Sequence, residues 1–273
     1  MLPLKLYHTL KYIKNFRNIP RFKKPKTITE VVVGNIVNGN ISNRYNLADK
    51  LYAKNYVSEL VGKQYIVNTL QIINDIEDVK LNDLPNSFVI KTNNSCGTNY
   101  FCEDKSKFDK SDCEKTLKKW LSDDYGLRNG EPHYSLIEPK VFIEEYIDFS
   151  DMLIDYKYFC FNGEPYFVQV IDREKGVQKF YDMEWNETDF KFKSSRLSDR
   201  SFLKPQEFNK MTEIVRKLSK GIDFCRVDMY TSNNTILFGE FTLTPKGGYL
   251  AFTPEKYNYI FKQIYDKENN YGI

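Results

Sequence analysis

Asp228, in FCRVDMY, and Glu240, in ILFGEFTLTP, are carboxylates set inside apolar, strand-like runs. An unpartnered charge is costly to bury in such a place. A polar stretch, Thr231-Ser232-Asn233-Asn234, separates the runs, so they read as a β-hairpin. Centring the turn on Asn234 puts Asp228 opposite Glu240 on one face, with Thr242 two residues further along the same side. Two adjacent carboxylates repel unless something positive lies between them. A divalent cation is one such group, and oxygen-only ligands point to Mg²⁺ or Mn²⁺. Arg226 or a lysine, pairing with both acids in a structural network, is the other. The sequence leaves both open.

Further polar residues end or interrupt apolar strands: Lys91, Glu144, Glu145, Asp155, Lys157, Arg173 and Arg226. A nucleoside triphosphate needs this mixture. Lysines and a loop of small residues, 92–99, neutralise and cradle phosphates, the loop through its backbone N–H groups. Carboxylates hold Mg²⁺, which bridges phosphate oxygens during transfer. Taken singly, each of these residues is most simply a partly exposed ion pair. Their joint occurrence in this order points to one shared cleft.

The elements that must position them follow from periodicity and punctuation. Residues 46–61 are patterned as a helix, with Leu47, Leu51, Val57, Leu60 and Val61 inward and Gly62 as the stop. Lys50 and Lys54 share one face of it. Residues 87–91 form a short buried strand, and Ser111 with Glu114 marks the start of a helix carrying Leu117, Trp120 and Leu121. Residues 141–147 and 155–161 are strands, the second turning at Asn162-Gly163 into 166–171. Pro205 opens a helix with Phe208, Met211, Ile214, Val215 and Leu218 inward, and a last amphipathic helix starts at Pro254.

A chain of 273 residues, 41% hydrophobic and 28% charged, fits a soluble globular protein with one large or two modest domains. A net charge of +3 gives no global nucleic-acid signal, and no nucleic-acid partner is expected. Scattered cysteines without CxxC spacing, and only His8 and His133 as histidines, argue against a zinc site or a disulfide framework. A reduced, cytoplasmic location is the corresponding expectation. Apolar runs fall far short of the ~20 residues that span a bilayer, and lysines interrupt the start too often for a secretory signal. Before Glu30 every charge is basic: Lys5, Lys11, Lys14, Arg17, Arg21, Lys23, Lys24 and Lys26. Leu6, Leu10, Ile13 and Phe16 fall at helical spacing among them. Such an arm either touches an anionic membrane or acidic polymer or packs its apolar stripe on its own domain. The second is expected.

FVIKTNNSCGTNY, VFIEEYI, IDYKYFCFNGEPYFVQVIDRE, KFYDMEW, and CRVDMY with FGEFTLTPKGG occur in this order across roughly residues 46–260. Together they resemble the ATP-grasp enzymes, and within them the TupA-like group found with cell-surface polysaccharide and teichuronopeptide biosynthesis. The resemblance implies an α+β fold, with two α/β subdomains whose antiparallel sheets grip ATP between them. Along the chain it implies a basic amphipathic arm (1–45), a reduced N-terminal helical region (46–85), a small nucleotide lid (86–147) and a C-terminal metal-binding and catalytic subdomain (148–273).

The resemblance also implies roles. Lys91, and not Lys50, is the lysine expected at the phosphates, with Ser95, Cys96 and Gly97 as the loop closing over them. Glu144, Glu145, Tyr146 and Ile147 form the adenine-binding hinge, and Asp155 takes the place of the acid that holds the ribose. Lys157 and Arg173 contact phosphate or acyl phosphate, Arg226 steadies the tetrahedral intermediate, and Asp228 and Glu240 bind the metal. Thr242 stands where such enzymes carry an asparagine, and the phosphate loop holds one glycine, Gly97. The implied activity is an ATP-dependent carboxylate–amine ligase using ATP with Mg²⁺ or Mn²⁺. Its implied acceptor is an acidic, hexuronic acid unit of a surface polysaccharide, and its donor an amino acid or amine. The rivals are a phosphotransferase acting on a sugar hydroxyl and a nucleotide-binding, non-catalytic partner in polysaccharide assembly.

Overall fold

The computed structural model describes residues 2–74, 76–147, 154–232 and 235–269. Three helices come first: α1 (Leu4–Phe16), α2 (Ile28–Val37) and α3 (Lys50–Val61). Strands β1 (Thr69–Ile73), β2 (Phe88–Thr92) and β3 (Asn99–Cys102) lead to helices α4 (Lys110–Ser122) and α5 (Tyr125–Asn129), then to β4 (Val141–Glu145). Next come β5 (Ile154–Phe161), β6 (Glu164–Asp172), β7 (Val177–Asp182), β8 (Lys191–Phe192) and α6 (Phe208–Ser219). The last elements are β9 (Phe224–Ser232), β10 (Thr235–Thr242), β11 (Phe252–Thr253) and α7 (Lys256–Asn269). No described helix is long and apolar enough to cross a membrane.

The α+β architecture rests on two antiparallel sheets, β1-β4-β2-β3 and β10-β9-β5-β6-β7. Side chains alternate across a strand, so each sheet has a covered face and a face free for chemistry. In the small sheet Phe88, Ile90, Val141 and Ile143 pack with Cys113 and Leu117 of α4. That leaves Lys91, Phe142 and Glu144 on the other side. In the large sheet Tyr156, Tyr158, Val168, Val170, Val227 and Met229 pack against Met211, Ile214, Val215 and Leu218 of α6 and against Ala53 and Val57 of α3. The opposite face is divided. Phe159, Phe161, Phe167 and Phe180 join Phe190, Phe192, Phe252 and Phe261 in an aromatic cluster at one end. Asp155, Lys157, Arg226 and Asp228 occupy the other end.

Local chemistry explains the joints. The β5–β6 turn uses Asn162 at φ 49° and Gly163 at φ 87°. Two positive values in succession match the right-handed twist of a tight hairpin. α4 is capped by Asp109, which accepts from the Asp112 N–H at 2.9 Å, so it begins ahead of the predicted Ser111. α3 begins at Lys50 behind the N-cap Asp49, and Asn46 and Leu47 belong to a separate 3-10 turn, Asn40–Ala48. β1 lies inside the stretch expected to be a helical region, yet pairs with β4 in the small sheet.

α2 was not legible as a helix, and it sits inside the stretch expected to be an arm. Nearly all of its residues are buried, so its run ITEVVVGNIV shows no apolar stripe to read. Its start is firm. Thr27 and Glu30 form a capping box, and the Glu30 carboxylate also accepts from the Arg21 and Lys26 N–H groups at 2.9 and 2.7 Å. α1 corrects another expectation. It packs on its own domain, but through His8 and Tyr12 rather than through the Leu6, Leu10 and Ile13 stripe, which stays exposed. The His8 ring lies between the Tyr249 hydroxyl at 2.8 Å and the Gly130 carbonyl at 2.7 Å. Phe16, the fourth member of that pattern, is half-buried against Tyr12.

Phe167 is fully buried and touches the rings of Phe159, Phe190, Phe252 and Phe261. Phe167→Ala should cost about 3–5 kcal/mol in urea denaturation, as a cavity among rings that cannot collapse. A loss below about 1 kcal/mol would mean that the aromatic end is loosely packed.

Candidate active site

β9 and β10 form the predicted hairpin. Asn233 and Asn234, on which its register was centred, lie outside the described residues. From the tip inward the partners are Thr235↔Ser232 through Phe238↔Met229. Continued unchanged, that register would put Glu240 opposite Val227 and turn it toward α6. Instead the register shifts by one at Gly239, and Glu240 pairs with Asp228 and Thr242 with Arg226. This is a β-bulge. Its mark is visible in Phe238 and Phe241, which are three apart yet share one core with ring centroids 5.2 Å apart. The pairing of the two acids is as expected, but its cause is the bulge. Gly239 is needed there because a Cβ would lie 3.1 Å from the Asp228 carbonyl oxygen and 3.3 Å from the Tyr230 ring.

Arg226 lies between the two carboxylates. Its Nε donates to Asp228 Oδ1 at 2.5 Å, and its Nη2 donates to Asp228 Oδ2 at 2.7 Å and to Glu240 Oε1 at 3.0 Å. Lys157, opposite Asp228 in the β5–β9 register, donates to Asp228 Oδ2 and lies 3.2 Å from Asp155 Oδ2. Arg173 grips Asp155 through Nε at 2.7 Å and Nη2 at 2.6 Å. The Asp155 carboxylate therefore holds two cations, at the position where the resemblance implied a ribose-binding acid. Thr242 donates its hydroxyl to Glu240 Oε1 at 3.3 Å. Burial pushes the Asp228 carboxyl up, but Arg226 and Lys157 outweigh it and hold the pKa below the ordinary carboxylate value. The ion-pair network that the sequence left open is thus present.

No group of three or more His, Cys, Asp or Glu side chains that could hold a metal occurs among the described residues. Asp228, Glu240 and Thr242 nevertheless supply hard oxygens on one face. That donor type fits Mg²⁺ or Mn²⁺, with phosphate and water completing the shell.

The small sheet contributes a second buried acid. Glu144 binds Lys91 through Oε1 and Lys54 through Oε2 at 2.8 Å, and Lys54 also donates to the Thr69 hydroxyl at 2.8 Å. Burial raises the Glu144 pKa, but the two lysines bring it below its usual value. Glu144 is thus a side-chain anchor whose backbone belongs to the sheet, opposite Val89 and Thr69. Glu145 is exposed and ends the strand, and Tyr146 and Ile147 lie just past it. In the loop, Thr92, Ser95 and Thr98 join their hydroxyls at 2.7–2.8 Å. Cys96 Sγ lies 3.4 Å from the Tyr134 hydroxyl, and Gly97 takes the left-handed φ of 75°.

Two lysines of α3 were missed as site residues. Lys50 Nζ donates to the Thr92 carbonyl at 3.0 Å and to the Ser95 carbonyl, which ties α3 to the loop. Burial lowers its pKa, and Glu240 and Glu144, one from each sheet, act against that. Lys50, Ser95, Tyr134, Gly239 and Glu240 line one small cavity. Tyr230 marks the same meeting place: burial raises its pKa, and Glu144 and Asp155 add to the effect. The available signal was the pair Lys50 and Lys54 on one helix face, since two lysines turned inward need acids or carbonyls to meet them.

Two predictions follow from this geometry. Gly239→Ala should cost about 1–3 kcal/mol on thermal or urea unfolding, through the close approach to Asp228 and Tyr230. Its nucleotide affinity should fall as well, because Glu240 is displaced. For pH, Asp228 and Glu144 are both held below their unfolded values. Their ion pairs stabilise the fold above the unfolded carboxylate pKa of about 4 and lose that contribution as pH falls through the lower folded values. Melting temperature should therefore drop on the acid side below about pH 4, and Glu144→Gln should show a smaller acid-side drop than the parent.

A family model described as TupA-like ATPgrasp matches residues 33–264. Among solved structures, a D-alanine–D-alanine ligase from Bacillus anthracis superposes with a TM-score of 0.51 at 15% identity, over 86% of this chain and 75% of that one. The corresponding ligase from Helicobacter pylori gives 0.48 at 16%, over 78% and 59%. The N5-carboxyaminoimidazole synthase from Aspergillus clavatus gives 0.46 at 13%, over 74% and 45%. At such identities the likeness is one of fold. No curated protein matches this chain in sequence.

Proposed function

Because this chain belongs to the TupA-like ATP-grasp family, we propose that it is an ATP-dependent carboxylate–amine ligase working through an acyl phosphate. The observation that carries the proposal is the convergence of Lys50, Lys91, Lys157, Arg173 and Arg226 on one cleft, beside two facing carboxylates. Five cations suit a triphosphate and an anionic acceptor together, which a lone anion would not require.

In this reading Lys50, Lys91 and the 92–98 loop hold the phosphates, and the hinge of Glu145, Tyr146 and Ile147, anchored by Glu144, receives the adenine. Asp228, Glu240 and Thr242 would hold the Mg²⁺ or Mn²⁺ ion, which neutralises phosphate charge when bound. The acceptor carboxylate attacks the γ-phosphorus, the bond to the β-phosphate breaks, and ADP leaves with the electron pair. Lys157 and Arg173 stabilise the charge on the transferring group. The amine then attacks the acyl carbon, Arg226 stabilises the oxyanion, and phosphate leaves as the amine gives up its proton. Enclosure between the sheets keeps water from the acyl phosphate.

The acceptor is an acidic, hexuronic acid unit of a cell-surface polysaccharide, joined to an amino acid or simple amine. This rests on the family context. Placement in the cytoplasm, where ATP is supplied, suits five free cysteines.

Hydroxylamine tests the chemistry. With ATP, Mg²⁺ and an acidic acceptor, the enzyme should release a hydroxamate together with ADP. ATP turnover that yields only a stable phosphoester would instead identify a sugar phosphotransferase. Arg226→Ala should lower kcat by about 10²–10³-fold, as loss of an oxyanion donor does. Lys50→Ala should weaken binding of a non-hydrolysable ATP analogue at least as much as Lys91→Ala. A much smaller effect at Lys50 would restore the reading that placed Lys91, and not Lys50, at the phosphates.

A further inference from the structure

The two sides of α1 have different fates. One side is fixed to the domain: His8 is fully buried between Tyr249 and Gly130, Tyr12 is buried beside it, and Lys11 Nζ lies 4.8 Å over the Tyr249 ring. On the other side Leu6, Leu10 and Ile13 are 43%, 51% and 38% exposed. Spacings of four and three put them on one stripe. Leu2 and Ile19, just outside the two ends of the helix, are 52% and 70% exposed. Isolated exposed leucines are ordinary, but a continuous row on one helix marks an interaction surface.

Along α1 and residues 17–26 every charge has one sign. Lys5, Lys14, Arg17, Arg21, Lys23, Lys24 and Lys26 are all exposed, and no salt bridge joins any of them to an acid among the described residues. The first acid of the sequence, Glu30, is buried, and its carboxylate is occupied by the backbone N–H groups of Arg21, Lys26 and Thr27. It offers no compensation to the lysines around it.

We infer that α1 and residues 17–26 form a docking surface for an anionic phospholipid bilayer. The Leu6, Leu10 and Ile13 stripe enters the interfacial region, and the surrounding lysines and arginines bind the head-group phosphates. Charge complementarity selects this partner. An apolar protein patch would cover the leucines but leave the uniformly basic rim without a counterpart. A nucleic acid would take the bases but leave the leucines in water. A bilayer with anionic head groups satisfies both. His8 and Tyr12 fix the orientation, because they leave the stripe no freedom to fold back onto the domain. Tyr249, the residue that holds His8, follows the turn Pro245–Gly248, which comes after the β10 strand bearing Glu240 and Thr242. Docking would therefore hold the cleft close to the lipid surface. The inference does not depend on the ligase reading.

Cosedimentation of the full chain with vesicles tests it. Binding to phosphatidylcholine vesicles containing phosphatidylglycerol should be at least about tenfold tighter than to phosphatidylcholine alone, and should weaken as salt is raised. The triple change Leu6→Ser, Leu10→Ser, Ile13→Ser should abolish binding while leaving the melting temperature and the nucleotide affinity in solution unchanged. Lys23→Glu with Lys24→Glu should weaken binding without touching the stripe. Leu10→Trp should give an emission blue shift on adding anionic vesicles, which keeps the test open if the triple variant fails to fold. Absence of binding to the anionic vesicles would overturn the inference. So would undiminished binding of a folded triple variant, or an unshifted Leu10→Trp emission.

Discussion

A carboxylate on an interior strand of a five-stranded sheet, as Asp228 is, costs several kcal/mol to bury unless cations surround it closely. Arg226 from its own strand and Lys157 from the neighbouring one meet that demand, and each then needs a further acid. Arg226 reaches across to Glu240, and Lys157 to Asp155, which in turn holds Arg173. The result is a chain of alternating charge running over three strands, whose members hold one another in position. Removing one partner would strand the others in a low-dielectric setting, so the network is cooperative in the sense that matters for a site.

The same logic is repeated on the small sheet, where Glu144 takes Lys54 and Lys91. Lys50 stands between the two networks, influenced by Glu240 on one side and Glu144 on the other. A helix of the N-terminal region therefore supplies the connection between two sheets that share no strand. Its apolar residues, Ala53 and Val57, pack on the large sheet, while its lysines turn toward the cleft. One amphipathic segment thus combines support and chemistry.

Much of this was legible in the residues. An acid within an apolar run stands out because its cost is local, which is why Asp228, Glu240, Glu144 and Asp155 could be picked without any contacts. α6 was equally plain, since Phe208, Met211, Ile214, Val215 and Leu218 repeat at helical spacing and are all buried. α2 was hidden by the opposite condition: a segment buried nearly all round has no periodicity to betray it. The arm misled for a related reason. An apolar stripe normally faces inward, but here His8, a polar ring with two partners ready, and the buried Tyr12 packed instead. Lys50 was missed because a lysine on a helix reads as solvated until the carbonyls of Thr92 and Ser95 are placed over it.

The bulge at Gly239 separates two parts of one hairpin that tolerate change differently. Extra residues inserted between Ser232 and Thr235 would leave the pairing of Glu240 with Asp228 unchanged, at a slowly growing entropic penalty. Losing a single residue between Glu240 and Thr242 is another matter. It would reverse the parity of everything downstream, sending Thr242 toward α6 and Leu243 into the cleft. Length can drift at one end of this ribbon, while the other counts residues one by one.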